Sequence, residues 1–169
     1  MSQSLFSLIS GGSTSQEGSE PAEGDWPLRD RPGFLIRRVH QLHVAQFVRE
    51  CGDFDITPIQ YSLLAALADL DQADQSQLAA AIAMDRTTTA GALKRLEARG
   101  LVERRTLPTD RRAQFCSPTP EGLALLKRLE APARAAHTST IEALSPAEQF
   151  LFLQLLQKIV DQADADPEA

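Results

Sequence analysis

The chain has 169 residues, 43% of them apolar and 24% charged, and a formal net charge of −6. That length allows one domain with its own core, or a small core with elements that need a partner. No apolar run approaches the roughly 20 residues of a membrane helix. "MSQSLFSLIS" carries no basic leader, so neither a signal peptide nor a membrane partner is expected and the cytoplasm is the expected location.

Residues 1–30 are rich in Ser, Gly, Glu and Pro without sustained periodicity, which predicts a mobile arm. The single Trp of the chain, Trp26, closes that stretch and has the surface to pack on the core or on a second subunit. From Pro32 a helix is expected. Leu35, Val39 and Leu42 fall at i, i+4, i+7, and Ile36, Val44, Phe47 and Val48 widen the stripe to most of the circumference. A helix apolar on several sides must be covered on several sides. It should end near Gly52, a candidate C′ residue.

Two cysteines, Cys51 and Cys116, cannot build a disulfide framework in a chain of this size. Both read as small buried hydrophobes; a redox-sensing Cys51, with Arg49 nearby, would require an exposed thiol of lowered pKa.

Capping signatures set the next elements. Thr57, Pro58 and Gln60, and again Ser145, Pro146 and Glu148, have the spacing of a capping box with Pro at the first helical position, and Thr119, Pro120 and Glu121 give an incomplete version. Helices are expected at about 58–70, 120–138 and 146–163. Two shorter ones, about 75–82 and 86–99, lie between, the second stopped by Gly100. "LVERRTL", the turn "PTDRR" and "AQFCSP" then read as a β-hairpin with Leu101 and Phe115 among its apolar positions.

Residues 86–112 contain eight basic residues against three acidic ones, a local charge of +5 in a chain that is negative elsewhere. Segregation of this kind suits a face that meets a polyanion. Two short helices followed by a hairpin with a basic tip have the order of a winged helix-turn-helix, whose second helix enters the major groove. Thr89, Leu93 and Leu96 would pack inward, leaving Arg86, Thr87, Thr88, Ala90, Gly91, Lys94 and Arg95 for DNA. Threonine is a poor helix former, but its hydroxyl can bond bases or phosphates. Gly91 is equally unfavourable in mid-helix, and either a close approach to DNA or a tight helix crossing would account for it. At the wing tip Asp110 can hold one arginine while Arg111 or Arg112 reaches the minor groove.

With "QLAAAIAMDRTTTAGALKRLEARGLVERR", the wing "DRR" and "PTPEG", the chain resembles the MarR family of bacterial winged-helix transcription factors over about residues 32–163. Ala83 stands where that family commonly has a glycine. The resemblance implies a mainly α (α+β) fold, a winged helix-turn-helix at about 55–119 with N- and C-terminal dimerisation helices at about 32–52 and 120–163, within one domain at 31–165. It also implies a homodimer on a pseudo-palindromic operator in double-stranded DNA, released by a small molecule. Phe150, Leu151, Leu153, Leu155, Leu156, Ile159 and Val160 would serve the dimer.

"RPGFLIRRVHQLHVAQF" is similar to the first helix of members that control catabolism of aromatic acids, hydroxycinnamates or hydroxybenzoates, sensed free or as coenzyme A thioesters. Arg37, Arg38, His40 and His43 offer cationic or donor groups beside an apolar surface, suited to an aromatic ring carrying a carboxylate. His40 and His43 share a face and His137 lies elsewhere, but nothing at recognisable spacing completes a metal site. No cofactor is implied. A metal- or redox-sensing regulator of the same fold, or a winged helix that binds protein instead of DNA, are the alternatives. No glycine-rich phosphate loop, ordered nucleophile or paired carboxylates suggest an enzyme.

Overall fold

The computed structural model describes residues 26–107 and 110–165, and side chains outside 106–113. The described residues fall into two units, divided between Leu35 and Ile36. Most of the predicted N-terminal arm lies outside the described residues. In its described part, Leu28–Asp30 form a single 3-10 turn. Arg31 Nε donates to the Trp26 carbonyl at 3.1 Å, and its guanidinium lies 5.6 Å from the centre of the Trp26 ring.

Six helices and three strands follow: α1 (Pro32–Cys51), α2 (Pro58–Leu70), β1 (Ala73–Asp74), α3 (Gln75–Ala81), α4 (Arg86–Ala98), β2 (Val102–Leu107), β3 (Asp110–Pro118), α5 (Pro120–Thr140) and α6 (Pro146–Ala165). The starts are chemically marked. At α2 the Thr57 hydroxyl accepts from the Gln60 N–H at 3.3 Å, and Gln60 Oε1 accepts from the Thr57 N–H at 2.9 Å. Thr119 accepts from the Gly122 N–H at 3.0 Å. At α6, Glu148 accepts from both the N–H and the hydroxyl of Ser145, at 2.8 and 2.6 Å. A further capping box, absent from the sequence reading, opens α3: Asp74 Oδ1 accepts from the N–H groups of Ser76 and Gln77, and Gln77 Oε1 from that of Asp74. Each satisfies backbone donors that a helix start leaves unpaired.

The predicted hairpin is part of a three-stranded antiparallel sheet in the order β1-β3-β2. β2 and β3 pair from Val102↔Pro118 to Thr106↔Gln114, then shift register before Leu107↔Asp110. β1 adds only Ala73↔Cys116 and Asp74↔Phe115. Two residues carry no alternation to read, so this strand exists because α2 and α3 deliver it beside β3.

Helix ends differ in detail from the expectation. α1 stops before Gly52 as predicted, but a 3-10 turn, Gly52–Phe54, follows, and the left-handed residue is Asp55 at φ 50°. Gly100, at φ 69°, is the left-handed stop of α4. Ala83 adopts φ 50° in the turn between α3 and α4, so the turn keeps a left-handed residue and alanine bears a strain of about 1 kcal/mol. Gly122 is required for a different reason: a Cβ there would stand 2.1 Å from the Leu101 carbonyl oxygen.

The core joins Phe47 and Cys51 of α1 to Leu63, Leu64 and Leu67 of α2, Leu78 of α3, Ala92, Leu93 and Leu96 of α4, Val102 and Cys116 of the sheet, and Leu129, Ala133 and Ala136 of α5. Both cysteines are buried and free, and burial raises both thiol pKa values. Cys51 therefore lacks the exposed, acidified thiol that redox sensing requires. α6 has no buried residue, and Phe150, Leu151, Leu153, Leu155, Ile159 and Val160 are all more than half exposed.

Candidate nucleic-acid interface

The predicted inward face of α4 is buried: Thr89, Leu93 and Leu96, with Ala92 as a fourth member that the spacing did not single out. Arg86, Thr87, Lys94 and Arg95 are exposed, and Thr88, Ala90 and Gly91 are half-buried. The helix is anchored at its start by Asp85. Its carboxylate accepts from the Thr88 N–H at 2.8 Å and from the Thr88 hydroxyl at 2.6 Å. These bonds to Thr88, the hydroxyl's first, hold the Asp85 pKa below the usual carboxylate range.

The three threonines thus separate by chemistry. The Thr89 hydroxyl donates to the Asp85 carbonyl at 2.8 Å inside the core. Thr88 has committed its one hydroxyl proton to Asp85, so it can donate to a phosphate only by releasing that cap. Of the three, only the Thr87 hydroxyl has no hydrogen-bond partner among the described residues, which makes it the ready donor. Gly91 also resolves. A Cβ there would meet nothing nearer than an Arg95 Nη1 atom at 3.8 Å, so no helix crossing among the described residues requires the glycine.

The structure sorts the basic window as well. Arg104 Nε lies 3.1 Å from Glu97 Oε2, a close ion pair without hydrogen-bond alignment. Arg105 pairs with Glu103 at 2.7 Å. Arg99 turns inward: it donates to the carbonyls of Asp55 and Phe54 and approaches the Asp55 carboxylate at 4.0 Å. That clamp joins the end of α4 to the segment linking α1 and α2, where Arg128 of α5 lies over the Phe54 ring at 5.1 Å. Among the described residues, Arg86, Lys94 and Arg95 make no ion pair. Asp110, Arg111 and Arg112 have their backbone in β3, and their side chains lie outside the described residues.

The four groups predicted for an effector do not converge. Arg37, Arg38 and His40 are exposed along α1, with Arg38 Nη1 3.4 Å from Gln41 Oε1. His43 instead turns to α5. Its Nδ1 is 3.0 Å from Thr140 Oγ1, and its ring stacks on His137 at 4.6 Å and 25°. Burial first, then the neighbouring charges of His137 and His40, lower the His43 pKa, so it is neutral at pH 7 rather than the cation the sequence reading allowed. Thr140 and His137, almost a hundred positions away in sequence, carried no signal that α5 would meet α1. A cavity of about 510 Å3 lies elsewhere, between the α1–α2 junction and α4, lined by Val48, Ile56, Thr57, Gln60, Arg95 and Arg99 among others.

This architecture has known relatives. The MarR family matches residues 54–113, which span the start of α2 to the wing. NicR of Pseudomonas putida, an HTH-type transcriptional repressor, is 34% identical over 136 residues, covering 80% of this chain and 86% of NicR. Among solved structures, BpsR of Bordetella bronchiseptica, whose DNA binding is regulated by 6-hydroxynicotinic acid, has a TM-score of 0.76 at 34% identity and covers 82% of this chain and 99% of BpsR. PcaV of Streptomyces coelicolor, in complex with its natural ligand, has a TM-score of 0.71 at 29% identity and covers 82% of this chain and 98% of PcaV. The winged helix, the outward charge of α4 and these relatives together assign the chain to the MarR family of DNA-binding transcriptional regulators.

Proposed function

We propose that the protein is a cytoplasmic, homodimeric repressor that holds a pseudo-palindromic operator and is released by a small aromatic acid, free or as its coenzyme A thioester. The observation that carries the DNA half is the sorting of charge on the basic lobe. Arg99, Arg104 and Arg105 are engaged within the chain, whereas Arg86, Lys94 and Arg95 share the outward side of α4 with Thr87. Arg111 and Arg112, with Asp110 orienting one of them, are assigned to the groove beside the recognition helix, and Thr88, Ala90 and Gly91 to the close-packed side of the same contact.

The division of labour follows the elements: residues 55–119 read DNA, the helices at 32–52 and 120–163 dimerise, and residues 1–30 form an arm. Two copies present two α4 helices, which reach successive major grooves when about 34–36 Å apart. An effector lowers affinity only as far as it prefers the released arrangement. Arg37, Arg38, His40 and His43 are assigned to its recognition. An aromatic acid as effector is supported by the aromatic acid that regulates BpsR and by the polar groups along one apolar helix here.

An electrophoretic shift series on operator DNA tests the DNA half. Affinity should fall steeply and log-linearly with salt, because each phosphate contact releases counterions. A flat salt dependence would remove the basic lobe as the footprint.

A further inference from the structure

The cavity of about 510 Å3 between the α1–α2 junction and α4 has no part in the effector reading above, and no described residue of α5 lines it. One lining residue, Gln60, is buried, with 5% of its surface exposed, and only one end of its amide is occupied. Oε1 accepts from the Thr57 N–H at 2.9 Å, which fixes the oxygen end of the amide. Nε2 is the other end. It carries two protons, and no acceptor for them lies among the described residues. Among those residues, the one fully enclosed side-chain polar atom without a partner is Arg104 Nε. Gln60 Nε2 therefore keeps an opening, and the cavity is the space that its side chain lines.

The charge around this space favours an anion. Arg95 lines it, is exposed and makes no ion pair among the described residues. Arg99 lines it too, held by the carbonyls of Asp55 and Phe54, which leave its charge in place. Asp55 is the one carboxylate against these two guanidinium groups. The apolar wall comes from Val48, Ile56 and Ala98, without an aromatic ring on which a flat ligand could stack. An apolar wall with a few convergent donors is the usual make-up of a small-molecule site.

We propose that this cavity binds a small oxyanion on a short aliphatic body, a carboxylate or a phosphate monoester. Gln60 Nε2 donates to the anion and Arg95 supplies the charge. Arg95 is also one of the cations assigned to DNA above, and the inference rests on that assignment. Ligand and operator then compete for one guanidinium, and each weakens the other's binding by the same factor.

The test titrates butyl phosphate and pentanoate into the full chain by calorimetry. Binding of either supports the site, and the better of the two identifies the head group; binding of neither overturns it. Gln60→Glu keeps the capping box, since glutamate serves at that position as well as glutamine, but places an oxygen where the amide donated. Affinity for the bound probe should fall about tenfold, the worth of one hydrogen bond, and an unchanged affinity would overturn the proposal. In wild-type protein the NMR signals of the Gln60 side-chain NH2 should move on titration; signals that stay in place would overturn it even if the variant does not fold. In a shift assay the probe should displace operator from wild type and not from Gln60→Glu, and displacement from both would assign release to another site. Aromatic acids should act equally on wild type and Gln60→Glu, so their failure on wild type would remove the effector reading and leave this site standing.

Discussion

α4 and α6 answer the same physical problem in opposite ways. Each is an amphipathic helix, yet α4 buries Thr89, Ala92, Leu93 and Leu96 and turns its charges outward, whereas α6 buries nothing and leaves a row of large apolar side chains in water. An isolated chain does not keep six such side chains exposed without reason. A helix whose apolar side is satisfied at home is free to offer its polar side to a polyanion; one whose apolar side is unsatisfied needs a second chain. Under the proposed function, the difference separates a reading element from an assembling one.

Charging the α6 face should have the largest effect. Leu153→Asp with Ile159→Asp replaces two side chains that bury about 1.5–3 kcal/mol each when covered, and twofold symmetry repeats the loss on the second protomer. Sedimentation should show a monomer that retains its helical circular dichroism; a variant that stays dimeric would place the interface elsewhere. Leu93→Ala, on the inner side of α4, should instead lower unfolding stability by about 2–5 kcal/mol through the cavity it leaves. Denaturant titration at matched dimer concentration measures it, and a loss below about 1 kcal/mol would mean that α4 is not keyed into the core.

Gly91→Ala gives a smaller effect with two signs. The free protein should gain about 1 kcal/mol of stability, since alanine is the better helix former and the site has room for a methyl group. Operator affinity should fall if the glycine serves a close approach to DNA. Gains in both would assign Gly91 no role at the groove. The smallest effect is on pH dependence. Because His43 has its pKa lowered in the folded state from an ordinary 6.5, the unfolded chain binds more protons between the two values, so stability falls as pH drops through 6.5 towards the folded value. His43→Gln should flatten that slope, and an unchanged slope would place the titrating group elsewhere.

Much of the fold was legible because local chemistry marked it. The Thr57–Gln60 box, Gly100 and the spacing of Thr89, Leu93 and Leu96 each constrain a few neighbouring residues, and each behaves as expected. Gly52 marks the end of α1 as expected but is not its left-handed residue, because the chain spends one more 3-10 turn before Asp55 takes that conformation. β1 was illegible for want of length, and the Asp74 capping box opens a helix too short to display a period. The candidate DNA interface was legible as a set of residue types and illegible as a set of free groups. Nothing in "DRTTTAG" states that Asp85 occupies Thr88 or that Thr87 remains available.

By itself, then, the sequence determined the helices, their caps, the concentration of positive charge and the excess of apolar surface at both ends, all of which depend on residues within a turn or two of one another. Tertiary structure decided which cations stay unpaired, by bringing Glu97 to Arg104 and the Asp55 turn to Arg99. It also decided the surroundings of His43, because Thr140 and His137 reach that ring only once α5 lies against α1. Charge pairing and long-range side-chain contacts are set by atoms a few ångströms apart in space and up to a hundred residues apart in the chain, and no local pattern records such distances.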